Sequence, residues 1–121
     1  MEARLHIHDD GRRIVQDACT EPCPIERGMR ILGGKWIGSI LWHLQDEPVR
    51  FNDIARLISG ASKKMISERL RHLQAHGLIE RHVRDTAPVS VEYALTGRGR
   101  DALVCLDQLR VWSEAQTDPS Q

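Results

Sequence analysis

The sequence predicts a mainly α domain carrying one small β-hairpin. Two observations lead there. Apolar residues recur at three- and four-residue steps in five separate stretches, and between Leu78 and Leu95 that period gives way to two strand-like runs. The 121 residues, 40% hydrophobic and 28% charged, match the size and balance of one compact domain. A chain of this length buries roughly two-thirds of its unfolded surface without needing staples. Aromatic bulk is limited to Trp36, Trp42, Phe51, Tyr93 and Trp112, so helical aliphatics must supply most of the core.

Residues 1–22 hold no sustained period beyond Ile14, Val15 and Ala18, and read as a partly ordered extension with room for a short helix near Arg12–Ala18. The domain proper is predicted over 23–115. Its first helix starts at Cys23-Pro24, proline being favoured at the first helical position, carries Ile25, Met29 and Leu32, and stops at Gly33-Gly34. A second helix carries Ile37, Ile40, Leu41 and Leu44 on one face, and Pro48 forbids its continuation. Asn52 or Asp53 is suited to cap a third, short helix with Ile54, Leu57 and Ile58, Phe51 lying just outside it. After Ser59-Gly60-Ala61, Ser62 caps a fourth helix with the stripe Ile66, Leu70 and Leu73, ending near Gly77. The strands Leu78–Val83 and Val91–Leu95 follow, joined by a long tip through Asp85-Thr86-Ala87-Pro88. Thr96-Gly97 opens a last helix with the stripe Ala102, Cys105, Leu109 and Trp112 beside Leu103 and Leu106, and residues 116–121 form a flexible tail.

Charge and composition narrow the function. No apolar run approaches the roughly 20 residues of a membrane span, and Met1–His8 lacks a secretory apolar region, so a cytoplasmic location with no membrane partner is expected. The net charge is zero but unevenly laid out. Ser62–Arg84 holds six basic residues, Lys63, Lys64, Arg69, Arg71, Arg81 and Arg84, against the acidic Glu68 and Glu80. Met1–Glu26 and Asp101–Gln121 each carry a surplus of three negative charges, which disfavours a polyanion at either end.

Two helices joined by a short glycine-containing turn and followed at once by a hairpin form the order of a winged helix-turn-helix, whose second helix enters the major groove of double-stranded DNA. Here that helix is Ser62–His76. Positions off its apolar stripe, Ser62, Lys63, Lys64, Ser67, Glu68 and Arg71, are the candidate DNA contacts. Lys63 suits a phosphate, and a base contact is expected among Lys64, Ser67 and Arg71. Arg81 and Arg84, on or beside the first wing strand, suit phosphates or a minor groove, with His82 facing the other way.

The chain also resembles the HxlR-type branch of the MarR-like winged-helix regulators, from Cys23 to about Glu114. The resemblance is carried by Cys23-Pro24-Ile25-Glu26, Leu32-Gly33-Gly34-Lys35-Trp36, Arg50-Phe51-Asn52, Glu68-Arg69-Leu70-Arg71-His72-Leu73, Gly77-Leu78-Ile79-Glu80-Arg81, Val91-Glu92-Tyr93-Ala94-Leu95-Thr96 and Gly99. It implies a DNA-binding homodimeric regulator, repression being the commoner outcome in the family, with the first and last helices making the dimer through Ile25, Met29, Ala102, Leu106, Leu109 and Trp112. Such a two-fold dimer reads a palindromic operator with half-sites about 34 Å apart or a multiple of that. Two features depart from the family pattern: the extension before Cys23, and Val89-Ser90 at the wing tip where relatives often carry a basic residue.

Three cysteines, Cys19, Cys23 and Cys105, make an odd count that argues against a disulfide framework. Cys23, at the start of the first helix, lies where amide donors and the helix dipole favour a thiolate, an effect that Glu21 and Glu26 oppose. The resemblance implies sensing of oxidants or electrophiles at Cys23, with Cys19 as a resolving thiol; a small structural cap is the alternative. Cys105, on the apolar stripe, reads as an inert buried hydrophobe, a disulfide to Cys23 of the partner subunit being the other possibility. His6, His8, Cys19 and Cys23 are potential zinc ligands, but a Cys-x3-Cys pair without a second pair is a weak signal, and no metal or cofactor is predicted. His43, His72, His76 and His82 are scattered over helix and wing without converging nucleophile and base, so an enzyme is not predicted. Two further readings are a regulator answering a small-molecule effector near Trp36 and Trp42, and a protein-interaction adaptor that has lost DNA binding.

Overall fold

A computed structural model describes residues 23–116 and the backbone of two short strands ahead of them. Those strands, β1 (Leu5–Ile7) and β2 (Arg13–Val15), pair antiparallel, with Leu5 opposite Val15 and Ile7 opposite Arg13. The short helix expected near Arg12–Ala18 is thus corrected to a strand over 13–15. Adjacent β-branched Ile14 and Val15 suit an extended pair better than a helix, and the apolar spacing there was too short to separate the two periods.

From Cys23 onward the order is α1 (Pro24–Leu32), α2 (Ile37–His43), β3 (Val49–Arg50), α3 (Phe51–Leu57), α4 (Lys63–Ala75), β4 (Ile79–Arg84), β5 (Ser90–Leu95) and α5 (Gly97–Ala115). The core draws Ile37, Ile40, Leu41 and Leu44 from α2 and its end, Ile54 and Ile58 from α3 and its cap, and Ile66, Leu70 and Leu73 from α4. Leu78, Ile79, Tyr93 and Ala102 complete it. Every α2 and α4 residue predicted to face inward is buried. In contrast, α1 buries none of its residues fully, and only its last turn, Ile31 and Leu32, packs on the core.

Local signals fix the joints. The Ser62 hydroxyl accepts from the Met65 amide at 3.0 Å, the predicted cap of α4. Gly77 takes φ +74 where α4 ends, a conformation that suits glycine. The Thr96 hydroxyl donates to the Gly77 carbonyl at 2.7 Å and accepts from the Gly99 amide at 3.1 Å, so one side chain joins the end of α4 to the start of α5. Gly99 is required by close approach, because a Cβ there would come within 2.1 Å of the Leu78 carbonyl oxygen.

Two predicted boundaries change. The sheet has three strands, ordered β3-β5-β4, because Val49 and Arg50 pair with Tyr93 and Glu92. The third helix consequently starts at Phe51 with Arg50 as its cap residue, and Asn52 and Asp53 lie inside its first turn rather than capping it. Asp53 is engaged there by Arg56. Pairing with β5 holds Arg50 extended, and that long-range contact decides where the helix begins.

Candidate nucleic-acid interface

The buried stripe of α4 turns the rest of the helix outward. Ser62, Lys63, Lys64, Ser67, Glu68 and Arg71 are all exposed, Lys64, Ser67, Glu68 and Arg71 on the side away from Ile66, Leu70 and Leu73, and Ser62 and Lys63 at the open start of the helix. Among the described residues Lys63, Lys64 and Arg71 take part in no ion pair or side-chain hydrogen bond, which leaves them available to an outside anion.

The remaining cationic and imidazole groups of α4 are committed inward. Arg69 Nε donates to the Lys35 carbonyl at 2.9 Å, and His72 Nε2 lies 3.0 Å from the Ile31 carbonyl oxygen. Those two bonds tie α4 to the end of α1 and the connection into α2. A third tie comes from Trp36, which takes the left-handed φ of +73 at the cap of α2 and sets its ring against Gly60 in the turn before α4. A non-glycine residue held in that region costs on the order of 1–3 kcal/mol and persists only where its surroundings determine it. The Lys35 ammonium sits 5.1 Å from the centre of the same ring. Nothing local in the sequence marked Arg69, His72 or Trp36 for these roles, since their partners lie up to 41 positions away.

The wing separates the two arginines that the sequence grouped. In β4 side chains alternate, and Arg81 and Arg84 are an odd number of residues apart, so Arg84 shares the face of His82 and Glu80. There Arg84 Nε donates to Glu92 at 3.0 Å, while His82 lies 3.2 Å from Glu80. Arg81 faces the other way and, with Ser67 of α4, lines a cleft. The prediction that His82 faces away from both arginines is therefore corrected: it faces away from Arg81 alone.

Helices α1 and α5 carry exposed apolar residues. Ile25 and Met29 of α1 and Val104, Leu109, Val111 and Trp112 of α5 are exposed, Ile25 by 73% and Trp112 by 61%. Of the residues assigned to a dimer contact, Ala102 instead belongs to the subunit core, and Leu106 is half-buried over Gly38. Ala102, Leu103 and Leu106 pack on the core, whereas Leu109, on the same side of the helix one turn beyond Leu106, is exposed, as are Cys105 and Trp112. Cys105 is exposed rather than buried, which corrects its reading as an interior hydrophobe. Arg110, bonded to Asp107 and Glu114, lies 5.6 Å from the Trp42 ring centre; the Asp107 hydrogen bond, then Glu114, raises its pKa above the ordinary value. Cys23 is half-buried at the cap position of α1, its carbonyl accepting from the Arg27 amide at 2.8 Å. Cys19, His6 and His8 lie outside the residues whose side chains are described. Among the described residues no group of three or more His, Cys, Asp or Glu could hold a metal ion.

A tri-helical unit with a three-stranded wing, and a polar, cationic outer face on the helix before that wing, define a winged helix-turn-helix domain of the MarR type. The chain belongs to the HxlR-like helix-turn-helix family, whose model matches residues 31–121. It is 36% identical over 98 residues to the HTH-type transcriptional regulator YybR of Bacillus subtilis (strain 168), covering 81% of this chain and 78% of YybR. A MarR-family transcriptional regulator of Porphyromonas gingivalis W83 superposes with a TM-score of 0.78 at 29% identity, over 84% of this chain and all of the other. The redox regulator HypR in its oxidised form superposes with a TM-score of 0.74 at 35% identity, over 79% of this chain and 99% of HypR. This protein is a helix-turn-helix transcriptional regulator, of a family of regulators rather than enzymes. No described helix is long and apolar enough to cross a membrane.

Proposed function

We propose that the chain is a homodimeric repressor that reads a palindromic operator with α4 and releases it when Cys23 is oxidised or modified by an electrophile. The observation that carries the DNA reading is the outer face of α4, where Lys63, Lys64 and Arg71 are exposed and uncommitted while its other cationic side chain, Arg69, is bonded inward. The exposed apolar residues of α1 and α5 support the homodimer, since a patch of this kind gains by burial against a second copy. The thiol switch is supported by the position of Cys23 at the start of α1, whose far end is bonded to α4 through Ile31, and by similarity to HypR. In the switched state Cys23 and a second thiol, Cys19 or Cys105 of the partner subunit, give up two hydrogens to the oxidant and close a disulfide.

The test is an anisotropy titration at fixed salt against the DNA upstream of the protein's own gene and of its divergent neighbour, with protein reduced and then diamide-treated. Tight binding when reduced and loss on oxidation is the expected result. Binding that survives diamide overturns the thiol switch, and absence of binding overturns the DNA reading. A second reading, response to a small-molecule effector, has its own observation. A groove of about 390 Å³ between α2 and α5 is lined by Trp42, Leu106, Leu109 and Arg110. Cys23→Ser separates the two, since an effector response survives that change and thiol sensing does not.

A further inference from the structure

Glu68 is the only carboxylate of α4, and it is exposed midway along the outer face of that helix. We propose that Glu68 is a specificity-determining residue that accepts a hydrogen bond from the N4 amino group of one cytosine in each half-site of the operator. The inference rests on the reading of α4 as the recognition helix.

The direction of the side chain is the first observation. At about 100° per residue, Glu68 leaves the helix within roughly 15° of the line opposite the buried Ile66, Leu70 and Leu73. Lys64 and Arg71 leave it about 30° and 45° to one side of that line, and Ser67 further still. Of the polar residues on this face, Glu68 therefore points most squarely at whatever α4 docks against.

Nothing within the subunit accounts for a carboxylate at that place. Lys64 lies four residues before Glu68 and Arg71 three after, spacings at which helical side chains meet. Even so, among the described residues Glu68 takes part in no ion pair or side-chain hydrogen bond. Its other cationic and imidazole neighbours, Arg69 and His72, are turned to the Lys35 and Ile31 carbonyls. The helix dipole favours carboxylates in the first turn, and Glu68 lies past it.

Base chemistry supplies the missing partner. An ionised carboxylate accepts hydrogen bonds and donates none. On DNA it is repelled by the phosphates, and also by the acceptors that guanine and thymine present in the major groove. The donors there are the amino groups of cytosine and adenine, and that of adenine sits beside the N7 acceptor. Cytosine N4 is thus the base atom over which the charge of Glu68 is most favourable. Lys64 and Arg71, about one helical turn to either side, keep the face as a whole attractive to a polyanion.

The experiment is an anisotropy titration of full-length, reduced protein at fixed salt. The probes are a duplex from its own promoter, the set in which each base pair of that duplex is exchanged in turn, and a scrambled duplex. Wild type is compared with Glu68→Ala and with Glu47→Ala, which removes an exposed carboxylate in the connection from α2 to β3. Wild type should lose roughly 5- to 150-fold in affinity when one C·G pair of the half-site is exchanged. Glu68→Ala should be nearly indifferent to that exchange, keep the wild-type losses elsewhere, and bind the scrambled duplex more tightly, on the order of fivefold. Glu47→Ala should match wild type at every position. N4-methylcytosine at the same pair puts a methyl group in the groove where the donor hydrogen was and leaves the pairing with guanine intact. It should weaken wild type and leave Glu68→Ala unaffected.

If Glu68→Ala keeps every positional loss of wild type and merely binds all duplexes more tightly, Glu68 is a general repulsion and the cytosine contact is overturned, with the recognition helix left standing. A positional loss that Glu68→Ala abolishes at an A·T pair also overturns the cytosine contact. If Lys64→Ala with Arg71→Ala binds both promoter and scrambled duplexes as wild type does, the recognition helix itself is overturned and the proposal falls with it.

Discussion

Helices α4 and α5 pack against the same core, yet their outward faces differ in kind. The outer face of α4 is hydroxyls, two lysines, an arginine and one glutamate. The outer face of α5 displays Val104, Leu109, Val111 and Trp112, which are between 46% and 65% exposed. Both helices satisfy the core with a narrow stripe, so packing within the subunit does not explain the difference. A solvated face needs only polarity, and an apolar face left in water costs roughly 1.5–3 kcal/mol for each large side chain that burial would have recovered. On the proposed reading, one helix meets DNA and the other meets a second copy of this chain. The acidic balance of the last twenty-one residues fits that reading, because a surplus of negative charge disfavours contact with a polyanion.

The sharpest way to break this contrast is to change the α5 face alone. Leu109→Asp with Trp112→Ala should weaken self-association by roughly 3–6 kcal/mol. Sedimentation should then find a folded monomer where wild type is a dimer, and DNA affinity should fall because one half-site is lost. An unchanged mass would end the assignment of α5 to the dimer. Next, Leu70→Ala strikes the stripe that α4 turns inward and should cost about 2–5 kcal/mol in urea denaturation. A cost well under 1 kcal/mol would mean that α4 is not anchored as described.

Lys64→Ala together with Arg71→Ala changes only the outer face of α4. Operator affinity should drop by roughly 2–4 kcal/mol with urea midpoint and oligomeric mass unaltered. Retained affinity would remove α4 from the interface and favour a protein-interaction adaptor. Ser62→Ala removes the cap that the Met65 amide uses, for about 1 kcal/mol of stability. The smallest effect belongs to Arg84→Ala: its exposed pair with Glu92 is worth roughly 0–1 kcal/mol, and DNA affinity should respond less than to Arg81→Ala. Equal losses in a salt-series titration would place both faces of the wing on DNA.

Much of the fold was legible because its signals are local. The stripes of α2 and α4, the Ser62 cap, glycine at Gly77, and the break at Gly33-Gly34 each depend on neighbours within one or two helical turns. The outer face of α4 followed by subtraction, once its buried stripe was known. The strand Val49–Arg50 escaped notice because two residues carry no period, and it exists only through pairing with Tyr93 and Glu92, both distant in sequence. In the same way the alternation of β4 was readable, but only the pairing with Glu92 separates a committed Arg84 from an available Arg81.

By itself, then, the sequence determined the order of the five helices and the wing hairpin, the buried face of each central helix and the family to which the chain belongs, because helical and strand periods are written within a few residues. Tertiary structure alone decided which apolar residues of α5 enter the core and which remain outside. It also decided that Arg69 and His72 bond backbone carbonyls at the end of α1 and in its connection to α2, and that Val49 and Arg50 join the sheet. Those outcomes depend on which distant segment fills the space beside a side chain, and a local period cannot encode a neighbour dozens of residues away.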